Sequence, residues 1–106
     1  RMTTQDNIRA YQFFGALYQA TNDPRYQQAQ ADIKNWLKTT AWRPQSGYFV
    51  SGIRISDGPQ AAREEIIGRS AVTDVQALAI IALGVETLKD MGIDPKLLIR
   101  AMEKNQ

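Results

Sequence analysis

The hydrophobic pattern of this chain is helical at both ends and irregular in the middle. From Asp6 to roughly Thr21, Ile8, Tyr11, Phe14 and Tyr18 recur at three- and four-residue spacing, joined by Leu17. That period predicts an amphipathic helix. Phe13 lies outside the stripe and points to a second buried side. Thr21-Asn22-Asp23-Pro24 is a break and a restart. Asp23 suits an N-cap, and Pro24 suits the first helical position, where no N–H is needed. A second helix runs to about Thr39, with Tyr26, Ala29, Ile33, Trp36 and Leu37 as its apolar stripe. Gln27, Gln28, Gln30, Asp32, Lys34 and Asn35 fill its other face, so it faces water on one side.

The middle stretch begins with an expected loop at Arg43-Pro44-Gln45-Ser46-Gly47. Tyr48-Phe49-Val50 and Ile53-Arg54-Ile55 flank Ser51-Gly52. This predicts a short β-hairpin with a two-residue turn, or else one extended strand. Asp57-Gly58-Pro59 is a further break, and Pro59 to Ile67 reads as a short helix stopped by Gly68. Thr73 to about Met91 is the third main helix. Thr73 and Gln76 have capping-box spacing, and Asp74 in the first turn suits the helix dipole. Val75, Leu78 to Leu83 and Val85 make it apolar nearly all round, the mark of a helix buried on several sides. Asp94-Pro95 then starts a fourth helix, with Leu97, Leu98, Ala101 and Met102 on its apolar side.

These helices form a repeat. Ala16-Leu17 leads to Asp23-Pro24-Arg25, and Ala82-Leu83 leads to Asp94-Pro95-Lys96. The second turn carries an insertion around Lys89-Asp90-Met91-Gly92. Each unit is an αα-hairpin whose first helix is the more buried. Such units stack in two layers, and the very apolar third helix calls for further hairpins on its flank. A small four-helix domain with one very apolar central helix is the alternative.

Length and charge narrow the function. At 106 residues the chain is one small domain or a piece of a larger one. Thirteen basic and eleven acidic residues leave a net charge of +2, and no Lys/Arg run exceeds two residues. Nucleic-acid binding gains no support, because phosphate contacts need a clustered basic surface. With neither Cys nor His, disulfides, the usual zinc ligands and Ser-His-Asp or Cys-His catalysis are excluded. Acid–base chemistry would fall to Asp, Glu, Lys or Tyr. The most apolar run is too short and interrupted to span a bilayer. No cofactor or metal motif is visible: Gly47, Gly52, Gly58 and Gly68 read as turn residues. Nothing indicates where the protein resides.

The string Ala16-Leu17-Tyr18-Gln19-Ala20-Thr21-Asn22-Asp23-Pro24-Arg25-Tyr26, followed by Ala29, Ile33, Trp36 and Leu37, resembles one hairpin of the (α/α)-toroid proteins. These include the six-hairpin glycosidases and related bacterial helical barrels. Their glycine- and aromatic-containing loop corresponds to Gly47-Tyr48-Phe49-Val50-Ser51-Gly52. The small-polar start of the next inner helix corresponds to Ser70 and Thr73-Asp74, before Gln76-Ala77-Leu78-Ala79. The pattern predicts an all-α fold of two αα-hairpins, four main helices in all, with a small β-hairpin in the long connecting loop, and the resemblance implies that it is of the α/α-toroid type. Residues 1–106 would then be a single helical domain, or a fragment of a larger toroid.

By this resemblance the middle loop lines a cleft, where Trp42, Tyr48 and Phe49 would stack on sugar rings. The alternative is that these rings plug the helix layer. Asp74, at the start of the most apolar helix, is the candidate general acid or base, against a plain dipole role. Glu64 and Glu65, with Asp57 nearby in sequence, are further carboxylates. Glycosidic hydrolysis needs two carboxyls about 5–10 Å apart. The alternative for Arg63-Glu64-Glu65 is a solvated charged turn. Arg54 and Arg69 are candidates for an anionic sugar group, or for pairing with nearby acids.

Two functions follow. One is a segment of a carbohydrate-active toroid, glycoside hydrolase-like in its complete form, with a carbohydrate ligand. The other is a non-catalytic helical assembly module, whose partners are further hairpins of a parent chain or a second copy. The isolated chain favours the module, because no complete catalytic pair is visible in it.

Overall fold

The computed structural model describes the backbone of residues 2–55, 63–66 and 69–104, and the side chains of residues 3–51 and 73–104. The fold is all-α with a small β-hairpin, as the pattern predicts. Strand β1 (Met2–Thr3) leads directly into α1 (Thr4–Thr21). The Thr3 side chain accepts from the Asp6 N–H at 3.1 Å and so caps α1. Asn22, left-handed at φ 56°, closes the helix, its N–H donating to the Tyr18 carbonyl at 2.7 Å.

Helix α2 (Pro24–Trp36) starts as expected. Asp23 Oδ1 accepts from the Arg25 N–H at 3.0 Å, and Pro24 takes the first position. Helix α2 then packs back on α1. Gln30 Nε2 donates to the Tyr11 carbonyl at 2.9 Å, directly over Gly15. A Cβ at Gly15 would sit 2.6 Å from that Nε2, so glycine allows this close approach.

The winding widens to a π-helical turn at Leu37–Ala41. Leu37 and Ala41, the first and last residues of this widened turn, are both fully buried. Strand β2 (Trp42–Arg43) follows and pairs with β3 (Tyr48–Phe49), in the register Trp42 to Phe49 and Arg43 to Tyr48. Pro44 to Gly47 make the turn, with Gly47 at φ 76°.

This pairing corrects the expected hairpin. Tyr48–Phe49 does not pair with Ile53–Ile55 across Ser51-Gly52. Strand β4 (Gly52–Ile55) instead lies between β1 and β5 (Arg63–Ile66). Its register sets Ile53 against Met2 and Arg54 against Glu64. Two physical reasons favour the observed arrangement. The Trp42 and Phe49 rings meet edge-on at 5.2 Å and are buried together. Gly47 also takes a positive φ at the end of the Pro44–Gly47 turn, a conformation that glycine adopts without strain. Residues 63–66 are strand, so the expected helix from Pro59 to Ile67 does not form there.

Helix α3 (Arg69–Leu83) begins before Thr73, which places Thr73 and Gln76 inside the helix. The expected capping box is therefore absent. The helix also stops early. Gly84, at φ 86° and ψ 158°, breaks it from α4 (Val85–Asp90). The break turns Leu88, Met91 and Ile93 into the core. Asp94 Oδ1 then accepts from the Lys96 N–H at 3.0 Å and opens α5 (Pro95–Lys104).

Helix α1 packs on α2 and α3, and α3 packs on α5. Helix α2 has no buried residue, whereas α1 and α3 both supply the core. The first helix of the first hairpin is thus the inner one, whereas in the second hairpin α5 also supplies buried residues, Leu98 and Ala101. Among the described residues no helix is long and apolar enough to cross a membrane.

Candidate functional site

The sequence directs attention to the segment between the hairpins, and two polar side chains hold that segment in place. Gln76 is fully buried on α3. Its Oε1 accepts from the Phe49 N–H at 2.8 Å, and its Nε2 donates to the Phe49 carbonyl at 2.8 Å. The amide thus completes the open edge of β3 as a neighbouring strand would. Thr4, also fully buried, donates its hydroxyl to the Val50 carbonyl, and its N–H donates to the Ser51 carbonyl at 2.9 Å. Among the described residues no buried side-chain polar atom lacks a partner.

The candidate residues fall into separate places. Phe49 is fully buried and Trp42 is 9% exposed, so both rings serve the core and offer no open face for a sugar. The physical reason is their mutual edge-on contact within the main apolar cluster. Tyr48, on the opposite side of β3, is only half-buried. Asp74 is exposed on α3, two residues before the buried Gln76. Arg54 lies in β4 and Glu64 and Glu65 in β5, so these acids belong to a strand and not a turn. Arg69 is the first residue of α3. Asp57 lies outside the described residues.

The sequence reading missed Gln76 and Thr4 as tethers. A signal for Gln76 was present: it is an amide embedded in an otherwise apolar run, where an uncompensated polar group is costly.

Electrostatics add little chemistry. Asp23 and Arg25 form an exposed ion pair at 2.7 Å. The Arg25 guanidinium and backbone N–H hold the Asp23 carboxyl below the usual carboxylate value. Among the described residues no group of three or more acidic side chains is placed to hold a metal ion. Open depressions lie at the start of α5, lined by Lys89, Asp94 and Lys96, and between α1 and α2, lined by Tyr11, Gln27 and Lys34.

The apolar surface is more distinctive. Ile81, on the most apolar helix, is 77% exposed, with half-buried Ala77 and Leu78 on the turn before it. Phe13 is 60% exposed, against the expectation of a second buried side on the first helix. Its ring meets Phe14 edge-on at 5.6 Å, and Phe14 stacks on Tyr26 at 6.1 Å. No family model, curated protein or solved structure matches the chain.

Proposed function

We propose that this chain is a non-catalytic helical packing module of the (α/α)-toroid type, and that the outer face of α3 is covered by a further helical hairpin. The observation that carries this reading is the exposure of Ile81 in the middle of the most apolar helix. Leaving such a side chain in water forfeits about 1.5–3 kcal/mol of burial. Hairpin-on-hairpin contact is already the way this chain builds itself, through α1 against α3. A further hairpin on the other side of α3 would extend the same layer. Of the three rings that the carbohydrate-active reading would use for stacking, Trp42 and Phe49 pack in the core and Tyr48 is half-buried, which supports the packing role over sugar stacking.

In the isolated chain the covering hairpin is supplied by a second copy. Sedimentation equilibrium from micromolar to millimolar concentration tests this. Reversible association is expected for the unaltered chain, and a folded monomer for Ile81→Lys, with helicity checked by circular dichroism. A chain that stays monomeric across the whole range overturns the proposal. So does an Ile81→Lys variant that associates equally well.

A further inference from the structure

No further inference is drawn: the strongest candidate, the open groove between α1 and α2 lined by Tyr11, Gln27, Gln30, Ala31 and Lys34, aims no buried, unpartnered polar group into its space among the described residues, and nothing in the structure shows what would fill it.

Discussion

Gln76 and Phe49 are joined through both backbone polar groups of Phe49, each at 2.8 Å from the Gln76 amide. One side chain on α3 therefore satisfies a donor and an acceptor that are sealed from water. Replacing Gln76 by Leu keeps the volume and removes both bonds. Each orphaned group costs about 1–3 kcal/mol. Urea unfolding of Gln76→Leu is expected to show a loss of that size or up to twice it. A loss below about 0.5 kcal/mol would mean that water or a shifted strand replaces the amide.

Trp42 presents a different kind of dependence, because its ring packs on Phe49 and makes no use of a polar partner there. Trp42→Ala opens a cavity in the main cluster, and such truncations cost about 3–5 kcal/mol. Thermal unfolding should register this as a large fall in midpoint. A near-neutral result would show that the ring is a surface group, and would restore it as a stacking candidate.

Gly84 separates α3 from α4 at φ 86° and ψ 158°, a region that side-chain-bearing residues avoid. A Cβ at this position meets nothing within 4 Å. Any cost of Gly84→Ala is thus backbone strain, about 1–3 kcal/mol. Denaturant titration measures it. A stabilised variant would mean that α3 and α4 join into one continuous helix.

Asp23 gives a pH-dependent contribution of known sign. Its carboxyl titrates lower in the folded chain than in the unfolded one, where the value is about 3.9. The contribution is present above about pH 4 and is lost as pH falls through the folded-state value. The pair is exposed, so the effect is small and is screened by salt. Asp23→Asn should flatten the acid side of the stability profile below pH 4 at low salt. Identical acid limbs for the two chains would refute the assignment.

The helical parts of this fold were legible because their signals are local. Asp23 and Pro24 fix the start of α2, and Asp94 and Pro95 that of α5, through bonds within two or three residues. The strand pairing was not legible, because it depends on contacts distant in sequence. Tyr48–Val50 and Ile53–Ile55 are good partners by composition. What decides against them is the pairing of β2 with β3, where Trp42 packs on Phe49, and of β1 with β4, where Met2 stands opposite Ile53 in register. The third helix was read too long because its apolar period continues through Gly84, and a single glycine is a weak stop signal in a sequence. Among the site candidates, residue type predicted aromatic burial for Trp42 and Phe49 as readily as sugar stacking. Only packing distinguishes these roles.

Thr4 and Gln76 come from different hairpins and both fasten on residues 49–51. In an array of independent repeats, each unit can melt while its neighbour persists. Here, loss of either inner helix removes the anchor on the segment that the other also holds. The two hairpins are therefore expected to melt in one cooperative transition, with amide exchange in α1 and α3 governed by the same opening event.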